Sequence, residues 1–297
     1  IDLLLDHWER RYSQNPEFLI NDLMALSPKP KWVVIDEIQK VPRLLDTVHH
    51  AIERLGIHFA LTGSSARKLK RQSANLLAGR AFSYSFFPLT HIELGQTFDL
   101  NQALHLGTLP KLFSLTGKDQ LEYLRSYTQT YLREEILQEQ LVRNGASFRT
   151  FLEIAAQENC KTINFSKIAR DVGADTKTIQ TFFQILEDTH LGYLIPAYTR
   201  SARKSVKHQP KFYLFDRGIH RAMTGDLRTQ LTPRSSAYGE AFEHFIVLEV
   251  IRLNSLLRKD YRVAHYQTTS GGEIDLILTR GKEILALEIK SSEKIDP

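Results

Sequence analysis

Apolar positions in the first third of the chain switch between two periods. "IDLLLDHWERR" and "NPEFLINDLMAL" space their large apolar residues as helices do, whereas "KPKWVVIDEIQ" is a short continuous apolar run that ends in two acids. "VPRLLDTVHHAIERLG" returns to the helical period: Leu44, Leu45, Val48, Ile52 and Leu55 share one face, Pro42 lies near the start and Gly56 is the stop. "HFALTGSS" is a second buried run. Strand, helix, strand predicts a crossover unit with a parallel sheet, and such sheets bind ligands at the carboxyl ends of their strands. Asp36-Glu37 and Thr62-Gly63-Ser64-Ser65 both fall at such ends.

Farther along, "SARKLKRQSANLLAGR" predicts a basic helix and "AFSYSFFPLT" alternates as a strand. Residues 91–145 read as mostly helical, broken at Gly107 and Pro110, with "DQLEYLRSYTQTYLREEILQEQ" as the longest continuous amphipathic helix. Residues 148–216 carry three helical patterns, the third capped by Asp175, and then two strands, "GYLIPAYTR" and "PKFYLFD", joined by a basic loop. That is the order of a winged helix, and the short second helix with its Gly173 turn matches a helix-turn-helix. The last segment predicts a helix over "SSAYGEAFEHFIVLEVIRLN", a strand over "YRVAHYQTT" and a hairpin turning at Arg280-Gly281-Lys282.

Composition narrows the class. Apolar residues at 42% and charged residues at 25% of 297 fit a soluble globular chain. No apolar run approaches the ~18 residues a membrane helix needs, and no leader peptide is visible. One cysteine, Cys160, excludes an intramolecular disulfide and a cysteine-built zinc site, which fits a reducing cytoplasm. The net charge of +5 leans toward polyanions, and basic residues cluster in "ARKLKRQ" and "TRSARKSVKHQPK". The chain opens on Ile1 rather than methionine, so further residues are expected upstream.

Two acidic patterns carry the candidate chemistry. At the end of the first strand, Asp36 is placed to hold Mg²⁺ and Glu37 to polarise a water at a terminal phosphate. Thr62 and Ser64 offer hydroxyls that sense that phosphate, and Arg80 is suited to reach the nucleotide of a neighbouring subunit, which implies a homo-oligomer. The bland alternative is a strand that simply leaves the core into polar residues.

"VVIDEIQKVPRLLDTVHHAIE", "HFALTGSSARKL" and "LLAGRAFSYSFFPLTHIEL", together with "KFYLFDRGIHRAMTGD" and "GEAFEHFIVLEV", resemble a prokaryotic AAA-type ATPase family whose C-terminal domain looks like a restriction endonuclease. The resemblance implies an α/β multidomain fold: a partial parallel-sheet P-loop-type ATPase core (1–90), a helical lid or connector (91–147), a winged helix (148–216) and an α/β restriction-endonuclease-like domain (217–297). It implies ATP with Mg²⁺ as cofactor. The chain departs from the family in one respect: no G-x-x-x-x-G-K-[ST] occurs in it. The expectation is therefore weak or absent ATP hydrolysis by these residues alone, because the protein is longer or because the ATPase half has decayed.

The second pattern lies in the last hairpin. Folding it about Gly281 puts Asp275 opposite Glu288, and Lys290 shares the face of Glu288. Asp followed by Glu-x-Lys is the pattern of restriction-endonuclease-like (PD-(D/E)XK) nucleases. Asp275 and Glu288 would bind Mg²⁺ or Mn²⁺, Lys290 would orient the attacking water, and Glu243 on the preceding helix, with Glu240 as the alternative, would add a further metal ligand. Such a fold serves either cleavage or binding only. In the middle unit Lys177, Thr178, Gln180, Thr181 and Gln184 are placed to reach DNA, and Arg200, Arg203, Lys204, Lys207 and Lys211 to grip phosphates.

Overall fold

Four residues, Trp32–Ile35, form strand β1, which pairs in parallel with β2, His58–Leu61, so that Trp32 faces His58 and Ile35 faces Leu61. A parallel pair needs a crossover, and helix α3, Leu44–Leu55, supplies it. Its apolar face buries Leu44, Leu45, Val48 and Ala51, and it ends at Gly56, whose left-handed backbone (φ 62°) turns the chain toward β2. Helices α1 (Asp6–Gln14) and α2 (Phe18–Ala25) add Tyr12, Leu19 and Leu23 to the same core, against Val33 and Ile35 of β1. Each fully buried leucine there contributes about 1.5–3 kcal/mol.

The computed structural model describes residues 1–63, 81–131, 145–199, 209–268 and 272–291. They fall into two compact units, 1–83 and 84–297. In the first, the helical expectation for the opening residues is corrected. Asp36 N–H donates to the Ile1 carbonyl at 2.9 Å and Leu3 N–H to the Asp36 carbonyl at 3.2 Å, which lays the first three residues along β1 as a parallel segment. An open strand edge, with backbone bonds to offer, outweighs the weak helical preference of three residues; α1 begins only at Asp6.

The second unit holds short helices α4 (His91–Leu94) and α5 (Leu100–Leu106), then α6 (Lys118–Ser126). Next come α7 (Gly145–Gln157), the two-residue strand β3 (Lys161–Thr162), α8 (Phe165–Val172) and α9 (Thr176–Asp188). Strands β4 (Gly192–Ile195) and β5 (Lys211–Leu214) complete a three-stranded antiparallel sheet in the order β3-β5-β4. Helix α10 (Arg217–Thr224) follows, then α11 (Ser236–Leu256), the longest described helix. Strands β6 (Arg262–Gln267), β7 (Glu273–Arg280) and β8 (Glu283–Leu287) form an antiparallel meander.

Two expectations change here. "AFSYSFFPLT" joins no sheet among the described residues; without a partner edge its alternation has nothing to pair with, and Phe82 and Phe86 stay exposed. The long amphipathic helix stops being regular at Ser126, where Tyr127–Tyr131 form a π-helical turn. The basic helix proposed over residues 65–80 lies outside the described residues. No described helix is long and apolar enough to cross a membrane.

A buried polar junction ties α11 to the elements before it. Asp216 Oδ1 accepts the N–H groups of Gly218 (2.8 Å) and Ile219 (3.2 Å) and caps α10, while Oδ2 accepts Thr108 N–H at 2.9 Å. From α11, Arg252 donates to Thr108 Oγ1 at 3.0 Å and to the Phe215 carbonyl at 2.8 Å. Burial raises the pKa of the Asp216 carboxyl, and the charge of Arg252 opposes that shift. Gly218 is required: a Cβ there would lie 1.9 Å from the Leu106 carbonyl oxygen.

Candidate functional site

The first acidic site is built where the two parallel strands end. Thr62 N–H donates to the Ile35 carbonyl and Ile38 N–H to the Thr62 carbonyl, both at 3.0 Å, so the chain leaving β1 is stitched to the chain leaving β2. This brings Asp36, Glu37 and Thr62 together. The Thr62 hydroxyl donates to Asp36 Oδ1, Glu37 N–H reaches Thr62 Oγ1 at 3.4 Å, and the Gln39 amide donates to the Glu37 carboxylate. Glu37 adopts a left-handed backbone (φ 56°), which costs a non-glycine residue about 1–2 kcal/mol and is held by the packed Ile38 beside it. Among the described residues, the side-chain donors to these two carboxylates are neutral. Oxygen donors of this kind, two carboxylates beside a hydroxyl, fit Mg²⁺ accompanying a nucleotide. Ser64 and Arg80 lie outside the described residues.

The second acidic site is an open cleft of about 540 Å³ in the unit 84–297. Glu240 and Glu243 line it from α11, Glu273 and Asp275 from β7, and Glu288 and Lys290 from the chain just beyond β8. Leu276 faces Leu287 across the hairpin, so the same register carries Asp275 opposite Glu288, as the sequence spacing requires. Lys290 Nζ lies 2.5 Å from Glu288 Oε1.

Four of the five carboxylates in this cleft, those of Glu243, Glu273, Asp275 and Glu288, have a protein partner. Asp275 Oδ2 accepts the Ile289 N–H at 2.7 Å. Burial raises the Asp275 pKa; the Ile289 N–H and Lys211 lower it, and the neighbouring Glu243 and Glu288 charges raise it further. Lys211, at the start of β5, sets its ammonium 2.8 Å from Glu243 Oε1 and 2.8 Å from Glu273 Oε1, with only 6% of its side chain exposed. Burial acts to lower the Lys211 pKa, but the two carboxylates outweigh it and the net shift is upward. The Tyr213 hydroxyl, two residues along the same strand, also donates to Glu243 Oε1, at 2.7 Å; burial first and Glu243 second push its pKa up.

This arrangement gives the expected metal ligands partners from the protein itself. Glu243, Asp275 and Glu288 do line one cleft, but no group of three or more His, Cys, Asp or Glu side chains among the described residues is arranged to hold a metal ion. The physical reason is the partners: Lys211 with Tyr213 occupies Glu243, a backbone N–H occupies Asp275, and Lys290 occupies Glu288. As arranged, the residues do not fit Mg²⁺ or Mn²⁺. Lys211 itself differs from its expected place among the phosphate-gripping cations, because it is buried against acids. It and Glu273 are the participants that sequence reasoning missed. The available signal was a lysine opening a strand, "KFYL", whose other positions are all apolar or aromatic.

On α9, Lys177, Gln180, Thr181 and Gln184 are exposed along one stripe. Thr178 is instead committed to the helix cap, its hydroxyl donating to Asp175 Oδ2 at 2.6 Å. Arg200, Arg203, Lys204 and Lys207 lie outside the described residues.

Comparison with known proteins divides the chain in three. Residues 3–95 match a family described as an AAA domain. Residues 97–230 match a domain of unknown function (DUF8612) and residues 238–297 another (DUF4143). Uncharacterized proteins of Mycobacterium bovis and Mycobacterium tuberculosis are each 23% identical over 275 residues, which is 92% of this chain. The chain spans 61% of the length of these two relatives. An uncharacterized protein of Haemophilus influenzae is 23% identical over 300 residues, covering 93% of this chain and 70% of its own length. No solved structure matches the chain.

Proposed function

We propose that the protein is an ATP-binding, DNA-associated AAA-type ATPase joined to a restriction-endonuclease-like (PD-(D/E)XK) part. One observation carries the reading: the parallel β1–β2 pair delivers Asp36, Glu37 and Thr62 to a single carboxyl edge, inside the segment similar to an AAA domain. ATP with Mg²⁺ supplies the phosphoanhydride to be cleaved. Asp36 would hold the metal through water, Glu37 would orient the attacking water, and Thr62 keeps Asp36 in place through its hydroxyl. The DNA-directed part of the reading is supported by the helix, strand, helix, helix, hairpin order of residues 145–214, which is that of a winged helix, and by the exposed stripe of α9.

The test uses the full-length protein. Glu37→Gln should leave ATP binding intact and lower turnover about 100-fold, as loss of a general base does; unchanged turnover sinks the assignment. Lys177→Ala should weaken duplex binding equally across sequences and flatten the log–log salt slope by about 1. An unchanged slope would remove α9 from the interface.

A second reading has an observation of its own. Four cleft carboxylates, those of Glu243, Glu273, Asp275 and Glu288, are already paired with protein donors, and this favours a nucleotide-gated DNA- or protein-binding module whose nuclease fold does not cut. Metal-dependent cleavage of duplex, single-stranded or branched DNA, abolished by Lys290→Ala, would exclude it.

A further inference from the structure

A D…E-x-K cleft is expected to recruit a divalent cation, and this one is arranged against it. The charge balance shows how. Two ammonium groups, those of Lys211 and Lys290, stand against five carboxylates, those of Glu240, Glu243, Glu273, Asp275 and Glu288. The two ammonium groups are not equivalent. Lys290 pairs with Glu288 while about half exposed, so its ammonium can swing into water at little cost. Lys211 is nearly enclosed, bridges two acids from different elements at 2.8 Å each, and is carried by a strand in the centre of its sheet. Its position between α11 and β7 is the one a cation joining those acids would take.

We propose that Lys211 is a built-in counter-ion that closes the cleft to divalent metals, so that the D…E-x-K site becomes a cation site only when the ammonium is withdrawn. The proposal deepens the nuclease-like reading of the cleft and rests on it for its biological meaning, while its test uses neither ATP nor DNA. With Lys211 in place, a metal at Glu243 would meet a like charge held within hydrogen-bonding distance of the same oxygen. With Lys211 replaced by an uncharged chain of similar length, Glu243 and Glu273 lose their compensation and recover it from solution, as oxygen-lined sites do for Mn²⁺.

The experiment is Mn²⁺ binding to the full chain, followed by the loss of the free-ion paramagnetic resonance signal. The wild type and Lys211→Arg should bind Mn²⁺ weakly, with no component sensitive to Asp275→Asn. Lys211→Met should gain such a component at least about tenfold tighter, and its melting temperature should rise on adding Mn²⁺ while that of the wild type does not. A Lys211→Met protein that folds and binds Mn²⁺ no better than wild type overturns the proposal. Should that variant fail to fold, the wild type decides alone. Mn²⁺ binding tighter than about 0.1 mM that Asp275→Asn removes overturns it, and absence of such binding upholds it.

Discussion

Asp36 and Glu37 at the end of β1, and Glu243 and Glu273 in the cleft, carry the same chemical group, yet they are held in opposite ways. The first pair is met by a threonine hydroxyl and a glutamine amide. The second pair is met by one lysine ammonium. A neutral donor orients a carboxylate and leaves its charge in place for a cation; an ammonium orients it and cancels the charge. Counting acids would therefore rank the cleft as the stronger metal site, while following their partners reverses the order.

The comparison can be broken by variants, beginning with the largest expected effect. Lys211→Met should destabilise the unit 84–297 by about 2 kcal/mol or more at neutral pH in metal-free buffer, between the limits for exposed and buried pairs, as read by urea denaturation. Removing the corresponding donor at the first site, by Thr62→Val, should cost only about 1 kcal/mol by the same measurement, because a neutral hydrogen bond is lost and no charge is stranded. If the two losses are equal, the contrast drawn above fails.

Asp275→Asn should act in the other direction. The folded-state pKa of Asp275 is raised, chiefly by burial, so the folded chain disfavours its charged form. The penalty is absent below the unfolded-state value, near pH 4, sets in as pH rises through the folded value, and is complete above it. The variant should therefore melt slightly higher than wild type at pH 7 and equal to it at pH 3, in thermal scans at both values. Lys290→Ala, which breaks an exposed pair, should shift stability by less than about 0.5 kcal/mol. A larger loss would mean that the two lysines of the cleft share one role.

What the sequence let one read, and what it hid, follows the same physics. Short-range order was legible: an apolar run ending in Asp36-Glu37 is a strand end, a helix stopped by Gly56 is a crossover, and Gly281 sets a hairpin whose register places Asp275 opposite Glu288. The Asp175 cap was equally local. The hidden parts join residues far apart in sequence. Lys211 meets Glu243 and Glu273 across 32 and 62 positions, and no spacing rule connects them. The pairing of Ile1–Leu3 with Asp36 was missed because three residues carry too little periodicity to compete with the helix that follows. The alternation of "AFSYSFFPLT" misled for the converse reason, since a pattern suited to a strand specifies no partner.

The junction of Asp216, Thr108 and Arg252 bears on how this chain can be divided. Sequence similarity places one border between residues 230 and 238, on either side of which lie two domains of unknown function. Arg252 lies beyond that border, and its acceptors, Thr108 and Phe215, lie before it. A polypeptide begun at residue 238 would carry a guanidinium shaped for acceptors it no longer has, and one ended at 230 would leave the Phe215 carbonyl and the Asp216 carboxyl without their cation. The two regions are separate words in the sequence but a single clause in the fold, and inheritance, truncation or domain exchange must move them together.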